Sequence, residues 1–234
     1  MPQAYLPGEP FVSSESLFNA LGKDYEDVFG HDAGLLRVVE RFISYLSPDA
    51  RVLDCGSGTG KPVAHMIASA NRSVHGIDLS EAMIELSRKQ VPTATFEQCN
   101  MLSYSPPPGS FGGATASLSL FELTRAQLTT MVANWARWLR PGGYLLIATM
   151  GAEDVEGTRE EMYDEDGECA SGIPFTFMGS RVYLTLFTKK GWERLLEGAG
   201  FEIVETQRDL FSPPKEAKCD EEKHLFLIAR KRVE

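Results

Sequence analysis

Nowhere in these 234 residues does an apolar run reach the roughly 18 residues that a membrane-crossing helix needs. The opening MPQAYLPGEP carries neither a basic stretch nor an apolar one, so no signal peptide is expected. Cysteine is sparse: Cys55, Cys99, Cys169 and Cys219 lie far apart and form no CxxC pair. That spacing gives a metal site no support and points to reduced thiols in a cytoplasmic protein. Positive charge is also short, with 23 Lys+Arg against 33 Asp+Glu and a net charge of −10. The deficit argues against broad binding to nucleic acid or to an anionic membrane. Repeats and low-complexity tracts are missing too. A composition of 43% hydrophobic and 24% charged residues is that of a globular chain, long enough for one domain with an elaborated lid.

What is present is alternation. Residues 13–46 read as helical, with Leu17, Leu21, Val28, Leu35, Val38, Val39, Phe42 and Leu46 recurring at three or four. Gly22, Gly30 and Gly34 divide this stretch into two or three short helices, and Pro48 closes it. Strands are then expected at 51–55, 73–78, 94–99, 113–120 and 144–149, separated by helices at 61–70, 80–89 and 124–139. Ser80 and Thr124 are the N-caps of the last two. Such alternation predicts a parallel sheet with helices on both faces. Residues 151–180 break the rhythm with the acidic run EEMYDEDGE and the apolar GIPFTFMG. A loop of this length is functional or mobile, and it reads as a lid or pocket insertion. A strand at 181–187, a helix at 188–198 and strands at 201–207 and 224–230 end the chain. The last two are expected to be antiparallel, because no crossover helix joins them.

The first strand runs into VLDCGSGTGKP, residues 52–62. A phosphate-binding loop requires a glycine at Cys55 and a magnesium-binding hydroxyl at Pro62, and both are absent. The dinucleotide fingerprint fits Gly56 and Gly58 but meets Lys61 at its third glycine. The strand ends that follow are more informative. Asp54 can hold the loop amides or a ligand ammonium. Gly56, Gly58 and Gly60 admit close backbone approach. Asp78, 24 residues after Asp54 and at the next strand end, can accept from ribose hydroxyls. Asn100 can accept from an adenine amino group, with Met101 and Leu102 beside the ring.

At this point the chain resembles the class I S-adenosylmethionine-dependent methyltransferases over about residues 20–231. VLDCGSGTG is its first motif, VHGIDLS with Met83 the ribose-binding segment, and FGGATASLSLFEL the fourth-strand segment. LRPGGYLLI and FTKKGWERLLEGAGFEIVE complete the series. The resemblance implies a Rossmann-like sheet of seven strands, mainly parallel with an antiparallel last strand. It implies a helical N-terminal lid at 1–47, a cofactor-binding domain at 48–234 and a lid insertion at 151–187. The donor is then S-adenosylmethionine, leaving as S-adenosylhomocysteine. Its binding residues are Tyr25, Asp54, Gly56, Ser57, Gly58, Thr59, Gly60, Asp78, Leu79, Met83, Asn100, Met101, Leu102, Ser117 and Leu118. Three departures stand out: Gly112 replaces an aspartate, Asn100 replaces another, and Phe121-Glu122 occupies the place of a histidine common in relatives.

The acceptor is expected to be a small organic molecule, methylated on a phenolic, enolic or carboxylic oxygen ahead of nitrogen or sulfur, in natural-product chemistry. Ser119, Phe121, Thr149, Met150, Phe175, Phe177 and Met178 are its expected contacts. Glu122 and His31 are the candidate bases. Trp135 and Trp138 are expected in the core, and His65, His75 and His224 in structural or peripheral places. Two other readings stay open: a cofactor-binding cyclase without methyl transfer, and a regulatory subunit. The acceptor's identity and the oligomeric state stay open as well.

Overall fold

The computed structural model of the protein describes residues 14–233. Three helices come first, α1 (Ser14–Leu21), α2 (Lys23–Phe29) and α3 (Ala33–Tyr45), broken at Gly22 and Gly30 as predicted, whereas Gly34 lies inside α3. Gly22 takes φ +49, and the Asp32 carboxylate caps α3 by accepting from Gly34 N at 2.8 Å. Then follow β1 (Arg51–Cys55), α4 (Val63–Ser69), β2 (Ser73–Asp78), α5 (Glu81–Gln90), β3 (Thr95–Gln98), β4 (Phe111–Ser117), α6 (Arg125–Trp138) and β5 (Leu139–Met150). Ser80 caps α5, and Thr124 with Gln127 forms a capping box on α6.

After two short 3-10 turns come β6 (Cys169–Phe177), β7 (Ser180–Phe187), α7 (Lys189–Gly198), β8 (Phe201–Phe211) and β9 (Glu222–Lys231). The main sheet has seven strands in the order β3-β2-β1-β4-β5-β9-β8. β9 runs antiparallel to both of its neighbours, and the pairs from β3 to β5 are parallel. The expected fold class is therefore found.

Period-2 alternation sorts the strand residues into two cores. Leu145, Ile147, Leu225 and Leu227 face α6 and α7 with Trp135, Trp138 and Trp192. Their neighbours Leu146, Ala148, Phe226 and Ile228 face α3 and α4 with Phe42 and Ile67. Two tryptophans three apart on α6 thus form core, as expected.

Several boundaries differ from the sequence reading, among them β4, which ends at Ser117, and β8, which runs on to Phe211. β4 starts at Phe111, and β5 takes in the RPGG stretch, with a register shift between Phe111 and Gly113. The 151–180 stretch is not one loop, because β6 lies in it. The 181–187 strand pairs with β6 in a separate two-stranded sheet. The turn between them is Met178-Gly179, with φ +47 and +78, the left-handed pair that two-residue hairpins favour. Methionine at the first position is not the usual turn signal, so the hairpin was hidden. Thr185 N bonds Phe121 O at 2.8 Å, and Asp220 N bonds Thr176 O at 3.0 Å. These bonds fasten the hairpin between the β4–α6 and β8–β9 connections. Arg125 holds Asp164 and Asp166 of the acidic run.

Candidate functional site

The glycine loop folds tightly onto β2. Gly56 N and Ser57 N both donate to Ile77 O, at 2.8 and 3.0 Å, and Gly60 N donates to Ser57 O at 2.9 Å. All three glycines have positive φ. A Cβ on Gly56 would lie 2.3 Å from that of Ser119, whereas one on Gly58 would meet nothing within 4 Å. The loop backbone therefore abuts the end of β4 on one side and leaves room for a ligand on the other. Gly60 faces elsewhere: its Cβ would press on Val91 and Ser87 at 3.1 and 3.2 Å. Thr59 is fully buried and its carbonyl accepts from Gln90. These two residues, expected at the cofactor, build the loop and do not line the cavity.

The carboxyl ends of β1, β2, β3 and β4 open on one cavity of about 330 Å³, where ligands sit in open α/β sheets. Gly56, Gly58, Asp78, Leu79, Met83, Asn100, Met101, Leu102, Ser117 and Leu118, all expected at the cofactor, line it. Asp78 accepts from Gly58 N and from Ser80 N, each at 2.9 Å. Burial pushes its carboxyl above the usual range, against the pull of those backbone amides. Asn100 forms an Asx turn, its side-chain oxygen accepting from Leu102 N at 2.9 Å. One lone pair of that oxygen is therefore already used.

Beside this cavity lies a void of about 30 Å³ lined by Asp54, Gly56, Ser57, Gly58, Lys61 and Ser117, among others. Asp54 is 1% exposed. Its Oδ1 accepts from the Thr115 hydroxyl at 2.6 Å, while Oδ2 and the Ser57 hydroxyl have no hydrogen-bond partner among the described residues. Burial, outweighing the Thr115 bond and helped by the charge of Asp78, pushes the Asp54 carboxyl up to about 7. A buried carboxylate oxygen facing a void is a place for a donor. An ammonium suits Asp54, while Lys61, also in the lining, has its Nζ 3.8 Å from Glu26 Oε1.

The other end of the cavity is aromatic. Phe18, Tyr25, Phe29, Phe121, Phe175 and Phe177 line it with Ser119, Glu122 and Met150. Tyr25 stacks on Phe29 at 5.0 Å between centroids, and Phe29 on Phe177 at 5.5 Å. Burial raises the Tyr25 hydroxyl well above its usual value, with Glu222 the next cause. Three expected residues lie outside. His31 is exposed in the link between α2 and α3. Thr149 is buried at the end of β5, its hydroxyl toward Met150 O. Met178 is spent on the hairpin turn.

The sequence reading also missed a buried cluster. His224, taken as peripheral, is fully buried. Its Nδ1 lies 2.8 Å from Asp32 Oδ2 and its Nε2 lies 2.6 Å from Glu222 Oε2. Burial alone would depress the imidazole. The two carboxylates outweigh it and raise its pKa to about 9, so His224 is an imidazolium donating to both. Asp32 is correspondingly held below the usual range, despite its burial. Glu222 is 2% exposed and lines the cavity. The available signal was Glu222, His224 and Phe226 at every second position of one strand, which puts all three on one face. Among the described residues, no helix is long and apolar enough to cross a membrane, and no group of His, Cys, Asp and Glu could hold a metal.

Residues 52–143 match the family described as methyltransferase domain. The phosphoethanolamine N-methyltransferase of Plasmodium falciparum is 24% identical over 190 residues, covering 78% of this chain and 66% of that protein. An O-methyltransferase of Pyrenophora dematioidea is 32% identical over 114 residues, covering 46% and 42%. The chain thus spans less than two thirds of the length of these relatives. Among solved structures, the 1,6-didemethyltoxoflavin-N1-methyltransferase of Burkholderia thailandensis superposes with a TM-score of 0.66 at 20% identity, covering 100% of both chains. That structure holds 1,6-didemethyltoxoflavin and S-adenosylhomocysteine.

Proposed function

We propose, for a chain that belongs to the class I S-adenosylmethionine-dependent methyltransferases, that it transfers a methyl group to a small organic acceptor in the cytoplasm, on oxygen ahead of nitrogen or sulfur. The observation that carries this reading is the unpartnered Asp54 Oδ2 at the end of the glycine loop. Asp54 lines a void that shares Gly56, Gly58 and Ser117 with the cavity lined by Asp78. Asp54 holds the amino group at the amino-acid end of the cofactor. Asp78 accepts from its ribose hydroxyls, while Asn100, Met101 and Leu102 border its adenine. Once bound, the sulfonium supplies an electrophilic methyl group.

What the chain does beyond binding is to align and to dry the reacting groups, which accounts for much of the acceleration of a displacement. The N-terminal helices and the β6–β7 hairpin act as the lids, contributing Tyr25, Phe29, Phe175 and Phe177 to the apolar wall. Glu122, on the same wall just after β4, takes the acceptor proton. The described residues lining the cavity include no Lys, Arg or His. A phenolic or enolic oxygen therefore fits better than a carboxylic one. The free cysteines accord with a cytoplasmic setting, and the net charge of −10 with an acceptor other than nucleic acid.

The test is methyl-labelled S-adenosylmethionine supplied with a panel of phenols and enols. Label in product and S-adenosylhomocysteine should appear in equal amounts. Glu122→Gln should lower kcat by roughly 100-fold or more and leave S-adenosylhomocysteine affinity unchanged. Cofactor binding with no transfer to any acceptor would contradict the reading.

A further inference from the structure

The acceptor end of the cavity has a charge that the transfer reaction does not use. Glu222 opens β9, is 2% exposed overall and lines the cavity. Its Oε2 is held by His224 at 2.6 Å, and His224 is held in turn by Asp32 at 2.8 Å. Phe211 stacks on the imidazole at 5.5 Å, and Phe226 meets it edge-on at 5.9 Å. The carboxylate is therefore fixed by a braced, buried chain. With His224 protonated, two carboxylates and one imidazolium leave this cluster one negative charge. Asp78 and Glu122 are the other ionisable carboxylates of the lining, and the described lining residues include no Lys, Arg or His.

The surroundings of Glu222 are aromatic. After burial, the charge of Glu222 is the next cause that raises the Tyr25 hydroxyl, and Tyr25, Phe18, Phe29 and Phe177 make one connected set of rings, with neighbouring centroids 5.0 to 6.4 Å apart. All four rings line the same cavity as Glu222. A partly desolvated carboxylate next to aromatic faces attracts a cation through both charge and ring quadrupole. The same place repels a carboxylate or a phosphate.

Resting on the methyl-transfer reading above, we propose that Glu222 and this aromatic cluster form the docking point for a protonated amino group of the acceptor. The acceptor is then an organic amine with an apolar body. Docking by the amine leaves a second group of the acceptor to be methylated near Glu122.

The experiment uses the whole chain saturated with S-adenosylhomocysteine, titrated with benzylamine, benzyl alcohol and benzoate and followed by ligand NMR at pH 7.5. The amine should bind at least ~10-fold more tightly than the alcohol, and benzoate most weakly. Glu222→Gln should bring the amine down to the level of the alcohol. Equal affinities, a preference for benzoate, or no binding of benzylamine to wild type that still binds S-adenosylhomocysteine would overturn the proposal. An unchanged ranking in Glu222→Gln would overturn it too. The wild-type ranking needs no variant to fold. Failure to bind S-adenosylhomocysteine would instead strike the methyl-transfer reading itself.

Discussion

At the cofactor end of the cavity, the lining comes from strand ends, the turns after them and Met83 of α5, within residues 56–118. At the acceptor end it comes from stretches far apart in the chain: Leu17 to Phe29, Phe121 to Gln127, Met150, Phe175 to Leu184, and Glu222. The first end is set by backbone conformation. Positive-φ glycines, amides on Ile77 O and a carboxylate on Gly58 N leave little for distant side chains to decide. The second end exists only when helix, hairpin and β9 meet. One cavity thus combines a locally specified half with a half specified by tertiary assembly, and the two should respond differently to mutation.

The largest contrast should come from His224. Removing it in His224→Ala strands Asp32 and Glu222 in the interior, a loss of about 3 to 5 kcal/mol of stability, read from urea unfolding. The cofactor end shares none of these contacts, so the fraction that stays folded should bind S-adenosylhomocysteine as wild type does. Loss of cofactor affinity in that fraction would break the distinction between the two ends. The pH dependence follows from the same residue. Its folded pKa of about 9 lies above the ordinary imidazole value of 6.5. Its stabilising contribution is therefore fully present below pH 6.5 and is lost as pH rises through 9, by roughly 3 kcal/mol. Urea midpoints at pH 7 and pH 10 should show the fall in wild type and not in His224→Ala.

A smaller effect belongs to the other end. Asp54 is raised to about 7, and an ammonium ligand needs it ionised. Protons then compete with the cofactor as pH falls, so S-adenosylhomocysteine should bind about eightfold more weakly at pH 6 than at pH 7.5. Asp54→Asn should bind weakly with no such dependence. A flat wild-type profile would remove the ammonium from Asp54.

The same division explains what could be read from the sequence. Asp54, Gly56, Gly58 and Asp78 follow a strand-turn pattern that local chemistry dictates, and the structure brings them together. Gly60 and Thr59 follow the same pattern but serve the loop's packing on α5, a distinction that depends on Ser87 and Val91. Ser80 and Thr124 were legible as caps because an N-cap bond spans three residues. His224 was not: its partners are Glu222 two residues away and Asp32 at the far end of the chain. Met178 was misplaced for a related reason, since only the pairing of β6 with β7 reveals that it forms the turn. Phe18 and Phe29 carry no signal of their own in the sequence, because it is the hairpin that brings Phe177 against them.

Calorimetry of S-adenosylhomocysteine binding to the wild type and to Asp78→Ala tests the account most directly. Micromolar-range binding is predicted, about 7 to 8 kcal/mol, with a loss of at least ~1 kcal/mol in the variant as the ribose hydrogen bonds go. A wild type that binds neither S-adenosylhomocysteine nor S-adenosylmethionine would contradict it.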